Sequence, residues 1–154
     1  MLYLMMTVDA SRCAIDVATV IEVVPLVDIT PLPGTPDAVA GLLTYRGAPV
    51  PVVDLSRLVA GRQSARRMST RVILVKYPDG RGGTRPLGLL AERVTRTIRR
   101  EAGTFVDPGV DRRGGALAGP VATDEDGVIH WIDPASLLPA AVRAALFTDR
   151  VAMS

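Results

Sequence analysis

Apolar positions in this chain recur mainly at every second residue or in short β-branched runs, and a helical stripe emerges only near the C-terminus. Leu2 to Val8 alternates, Asp9-Ala10-Ser11-Arg12 reads as a turn, and Cys13 to Ile15 returns, so a β-hairpin opens the chain. Val17 to Val24 is again strand-like, broken by Thr19 and Glu22, and Pro25 then ends its pairing or confines it to an edge. Asp28 to Asp37 holds Pro31, Pro33, Gly34 and Pro36 and predicts an extended connection poor in free N–H groups. Gly41 starts a strand to Tyr45, Arg46-Gly47 turns, and Ala48 to Val53 returns. Asp54 is placed to N-cap a short helical turn over Leu55 to Val59.

Gly61 to Ser69 (GRQSARRMS) is polar and basic, and reads as a solvated connection between two halves. The second half opens with the aliphatic strand Arg71 to Tyr77, followed by the loop Pro78 to Thr84. Pro86 to Leu90 and Val94 to Ile98 predict two further strands, and Glu101 to Gly115 a mobile loop. Ala116 to Thr123 and Val128 to Ile132 flank an acidic turn. Asp133-Pro134 is a helix start, and Leu138, Val142 and Leu146 give the helix over about 134–147 one apolar stripe. The pattern is all-β, in two small barrels packed on a shared core, with a C-terminal helix.

Composition narrows the chemistry. The 154 residues are 48% hydrophobic but only 4% aromatic, so the core must be aliphatic. The net charge is +2, and Lys76 is the only lysine among the cations. Arginine suits bidentate contacts at protein surfaces, although GC-rich coding also raises its frequency. The acids are interspersed, so no continuous basic face emerges. One cysteine, Cys13, excludes an internal disulfide and sits in an apolar run as a core filler. The start MLYLMMTVD lacks a basic n-region, and no stretch of about 18 apolar residues exists, so membrane insertion is not expected and a reducing cytoplasm is.

Enzyme signals are sparse. His130 is the only histidine, on a strand beside Trp131, and reads as a packed or half-exposed side chain rather than a catalytic base. Gly80-Arg81-Gly82-Gly83 lacks the Lys-Ser/Thr ending of a phosphate-binding loop, and Asp124-Glu125-Asp126 lacks calcium-loop spacing. No catalytic residue, metal site or cofactor is expected. A small β-barrel nucleic-acid module is the alternative reading, but interleaved aromatics for base stacking are missing. What stands out is Gly41 to Leu55, GLLTYRGAPVPVVDL, a shaped strand–turn–strand with one cation, Arg46, at its tip. Pro49 and Pro51 remove two N–H donors from one strand and blunt its edge.

The pattern Gly41, Arg46, Gly47, Pro51, Val52, Asp54 and Leu55 resembles the signature of CheW-like coupling proteins. IDVATVIEVV (Ile15 to Val24), LPGTPDAVAG (Leu32 to Gly41), STRVILV (Ser69 to Val75), LGLLAERV (Leu87 to Val94), Gly119 and IDPASLL (Ile132 to Leu138) follow the family's order. The resemblance implies a single domain over 1–154 made of two intertwined five-stranded SH3-like barrels. Subdomain 1 would span about 14–69, and subdomain 2 about 70–132 plus the N-terminal strand. It also implies a non-enzymatic adaptor between a chemoreceptor's cytoplasmic tip and the regulatory domain of a CheA-type histidine kinase, cytoplasmic and held at the inner membrane face through receptor complexes. By motif position, Val20, Glu22 and Val23 would face the kinase. Thr44, Tyr45, Arg46, Gly47 and Pro49 would face the receptor. The chain departs from the family at Thr44, where asparagine is common, and at Glu92, where aspartate is usual. Tyr45-Arg46-Gly47, Ser69-Thr70-Arg71 and the ending HWID…LLPAAVRAALF look most like couplers of Wsp-type surface-sensing systems, whose output is cyclic-di-GMP synthesis and biofilm behaviour.

Overall fold

A computed structural model describes residues 1–26, 28–110, 115 and 117–147. Among the described residues, nine strands run in chain order: β1 (Leu2–Val8), β2 (Ser11–Asp16), β3 (Val20–Pro25), β4 (Val39–Tyr45), β5 (Ala48–Asp54), β6 (Arg71–Pro78), β7 (Thr84–Arg99), β8 (Val121–Asp124) and β9 (Gly127–Ile132). A 3-10 turn (Val17–Thr19) precedes β3, and the helices are α1 (Leu55–Ala60), α2 (Pro134–Leu137) and α3 (Ala140–Ala145).

The two strands expected over 86–90 and 94–98 are one 16-residue strand, β7. Its first half, Thr84 to Ala91, pairs antiparallel with β6, and its second half, Glu92 to Arg99, pairs antiparallel with β1. β5 also joins the first half, in parallel, with Val52, Val53 and Asp54 opposite Gly88, Leu89 and Leu90. Two sets of strands therefore share β7. One runs β3-β6-β7-β5-β4, and the other runs β7-β1-β2-β9-β8. The chain's N-terminal hairpin thus sits beside its C-terminal one, with β2 and β9 parallel. This is the all-β architecture expected, although no ladder closes either set into a ring among the described residues.

Alternation along these strands fills three cores, because successive side chains point to opposite faces. Leu87, Leu89 and Ala91 of β7 meet Ile73 and Val75 of β6, Leu4, Met6 and Val8 of β1, and Cys13 and Ile15 of β2 in the central core. Leu90 turns the other way and packs with Val72, Leu74, Val50, Val52 and Leu43. Tyr3, Met5, Ala14 and Ile129 form a third cluster, against which Phe105 and Trp131 pack. Both faces of the central strands are therefore dry, which explains their nearly continuous aliphatic runs. Cys13 is fully buried, and burial pushes its thiol pKa up to about 12, so it stays a protonated core residue.

The C-terminal segment is two short helices, not one. Pro139 supplies no N–H to an inner turn, and Leu138 before it is extended, as sterics before proline require. The apolar stripe still docks: Leu137, Leu138, Val142 and Leu146 all join the central core. In the loop expected over 101–115, the Phe105 ring meets Tyr3 in a tilted contact with centroids 4.9 Å apart, and Val106 bridges Val121. Residues 111–114 of that loop, residue 116 of the strand expected after it, and 148–154 of the single domain lie outside the described residues.

Gly41 is fixed by contact. The β4 edge exchanges two backbone hydrogen bonds with Thr30, Thr30 N to Leu42 O at 2.8 Å and Leu42 N to Thr30 O at 2.9 Å. A Cβ on Gly41, whose φ is +143°, would lie 2.1 Å from the Thr30 carbonyl oxygen. Gly41→Ala should therefore cost about 3 kcal/mol or more in chemical denaturation, and a loss under about 1 kcal/mol would show that the proline-rich segment yields freely.

Candidate functional site

The β4–β5 hairpin closes on Arg46 and Gly47, both with positive φ (49° and 78°), between the paired residues Tyr45 and Ala48. This is the two-residue connection whose twist matches the flanking strands. Glycine adopts it at no steric cost, whereas arginine does so at some. Tyr45 is half-buried against the Leu43–Val50 core, and its hydroxyl has no hydrogen-bond partner among the described residues. The Arg46 guanidinium lies 5.2 Å from the Tyr45 ring centroid, within cation–π range. No ion pair engages Arg46 among the described residues. Thr44 and Pro49 are exposed and directly opposed across the ladder. The hairpin thus gathers all five expected receptor-facing residues at one tip, with Tyr45 as a support under Arg46.

The far end of β5 is held rigidly. Asp54, 1% exposed, N-caps α1 by accepting from Ser56 N at 3.0 Å. It also accepts from Ser64 N at 2.9 Å and Ser64 Oγ at 2.6 Å, with Arg57 Nε at 3.8 Å. One carboxylate therefore fastens both the helix and the segment that follows it. That segment, expected to be solvated over Gly61 to Ser69, is partly a strap: Ser64 within it and Thr70 just after it are buried. Ala65 N donates to Glu92 Oε1 at 3.0 Å, and Val94 N donates to Ser69 O at 2.9 Å. Serine and threonine look solvent-tolerant in sequence, and the partners that bury these two, the Asp54 carboxylate for Ser64 and the Ala65 carbonyl for Thr70, carry no sequence signal.

β3 is an edge strand that pairs with β6 alone among the described residues. Of the three residues expected to face the kinase, Glu22 is exposed, while Val20 and Val23 are half-buried and lean on the central core. A register shift between Val20 and Glu22 turns Ile21 outward, leaving it 38% exposed beside Glu22. Sequence alternation concealed Ile21, because the irregularity puts two successive side chains on the solvent side. The β3 residues and the hairpin tip are separate surfaces on the same sheet.

Among the described residues, no three His, Cys, Asp or Glu side chains gather where they could hold a metal ion. His130 lies on β9, level with Cys13 on one side and Val121 on the other. No helix among the described residues is long and apolar enough to cross a membrane.

Comparison with known proteins gives a family and a structural likeness. A family model described as "CheW-like domain" matches residues 2–142. The crystal structure of the scaffolding protein TtCheW from Thermoanaerobacter tengcongensis superposes with a TM-score of 0.77. The alignment has 24% identity and covers 92% of this chain and 89% of that one, and at that identity the likeness is one of fold. No curated protein matches the chain.

Asp54→Ala should remove the α1 cap and free the strap together, lowering stability by about 2–4 kcal/mol in urea denaturation. A loss within about 0.5 kcal/mol would mean that the strap is held by other contacts.

Proposed function

The chain belongs to the CheW-like domain family, and we propose that it is a non-catalytic adaptor that couples a chemoreceptor's cytoplasmic tip to a CheA-type histidine kinase. The single domain is taken as residues 1–154. The observation that carries the reading is the Tyr45–Ala48 tip: a two-residue turn that presents an arginine no ion pair uses among the described residues. Such a guanidinium can serve a carboxylate or backbone carbonyls on a partner. In this reading Thr44, Arg46, Gly47 and Pro49 form the receptor contact and Tyr45 supports it. Glu22, with Val20 and Val23 behind it, faces the kinase regulatory domain, and exposed Ile21 adds apolar area to that contact.

Each contact is expected to be modest, since a standard interface buries about 800 Å² per partner, and repetition in an array adds avidity. The adaptor would work in the cytoplasm, at the inner face of the membrane through its receptor. The Wsp-like features support cyclic-di-GMP synthesis as the output, and a diguanylate cyclase response regulator encoded beside this gene is the expected neighbour.

Arg46→Glu should abolish receptor co-sedimentation while shifting stability by no more than about 0.5 kcal/mol. Glu22→Arg should weaken calorimetric binding to the kinase regulatory domain with equally little effect on folding. Absence of saturable kinase binding by the unaltered protein at high micromolar concentration would contradict the adaptor reading, and a large stability loss in Arg46→Glu would make that residue structural.

A further inference from the structure

A third surface lies beyond the end of β5 opposite the hairpin tip, where the strap that Asp54 fastens through Ser64 reaches Glu92 through Ala65. There the strap residues Arg67 to Thr70 form a turn, closed by Thr70 N donating to Arg67 O at 3.0 Å. The next hydrogen bond, Val94 N to Ser69 O, fastens that turn to β7 immediately after Arg93. Arg93 itself has φ 51°, a left-handed conformation that costs an arginine about 1 kcal/mol or more. A cleft of about 420 Å³ results, lined by Thr7, Asp9, Arg12, Arg67, Ser69, Glu92 and Arg93 among others.

Most of the charge in this cleft is already committed. Arg12 makes a bidentate pair with Asp124 at 2.7 and 2.8 Å, Asp9 pairs with Arg62, and Glu92 accepts from Ala65 N. The guanidinium groups of Arg67 and Arg93 have no ion-pair partner among the described residues, and both residues are exposed. The hydroxyls of Thr7 and Ser69 have no recorded partner there either. The capacity left over is that of donors, and it fits a carboxylate. On the rim stands Met68, 98% exposed on a turn whose ends are hydrogen-bonded. An inorganic anion has no use for an exposed, adaptable apolar side chain held out on a fastened turn, whereas a peptide does.

We propose that this cleft is a docking site for an acidic segment of a partner protein, in which a carboxylate bridges Arg67 and Arg93 and a neighbouring apolar side chain packs on Met68. It is independent of the receptor and kinase surfaces proposed above, so the chain could hold a third partner while both are engaged.

The test is an NMR titration of the full chain, labelled at methionine methyls and arginine Nε–H, with the acetylated, amidated peptide Glu-Leu-Glu-Asp. Saturable shifts at Met68, Arg67 and Arg93 are expected, weakening with added salt. Arg93→Gly removes the guanidinium and relaxes the backbone, so it should fold at least as well and yet bind about fivefold more weakly. Arg67→Ser and Met68→Ser should each weaken binding, and Arg46→Glu should leave it unchanged, which separates this site from the hairpin tip. Absence of saturable shifts at about 10 mM peptide, unaltered affinity in Arg93→Gly, or equal affinity for inorganic phosphate would each overturn the proposal.

Discussion

The structure depends on one strand being shared. β7 pairs with β6 and β5 through its first half and with β1 through its second, so it is a member of both sheets. The handover falls at Ala91-Glu92-Arg93, where β7 leaves β6 and takes up β1, and where the left-handed Arg93 and a register shift re-aim the strand. Val94 then donates to Ser69 O and accepts from Arg71 Nη1 at 3.0 Å, which stitches the handover to the strap. Sharing a strand makes the central core common to both sheets, and neither sheet can bury its inner face alone.

The proposed contact surfaces follow from that arrangement. Because β5 is pinned to β7 at Val52 to Asp54 and fastened by the Asp54 carboxylate, its opposite end can project without fraying. Gly88 of β7 leaves its place on the sheet face to the valines on either side of it. A Cβ there would meet Val72 Cγ1 at 2.9 Å and Val52 Cγ2 at 3.0 Å. Pro49 and Pro51 remove N–H donors from the part of β5 that β7 does not cover. The hairpin is thus stiff and poor at recruiting stray strands, two properties that suit a surface meant for one partner. An adaptor needs no preorganised charge for a transition state; it needs side chains fixed on a frame that does not yield when gripped.

Much of this could be read from the sequence, for identifiable reasons. The hairpins, the Asp54 cap, the Arg46-Gly47 turn and the docking stripe at Leu138, Val142 and Leu146 are local patterns with local causes. What escaped was non-local. Pro86 to Leu90 and Val94 to Ile98 look like two strands because Glu92 and Arg93 interrupt the apolar run, and only the change of partner shows the interruption to be a handover. Ser64 and Thr70 look solvated because their partners, Asp54 and the Ala65 carbonyl, are brought to them by folding. The outward turn of Ile21 depends on an irregular register with β6 that one strand's sequence cannot display.

The shared strand makes a direct demand on dynamics: the two sheets should open together or not at all. Native-state hydrogen exchange along β7, followed amide by amide at increasing denaturant, measures this. The hydrogen-bonded amides of residues 84–91 and of 92–99 should converge on one opening free energy, equal to that of global unfolding. If residues 92–99 exchanged with β1, β2, β8 and β9 in a separate, lower-energy opening while 84–91 stayed protected, β7 would be a hinge between two units rather than their common element.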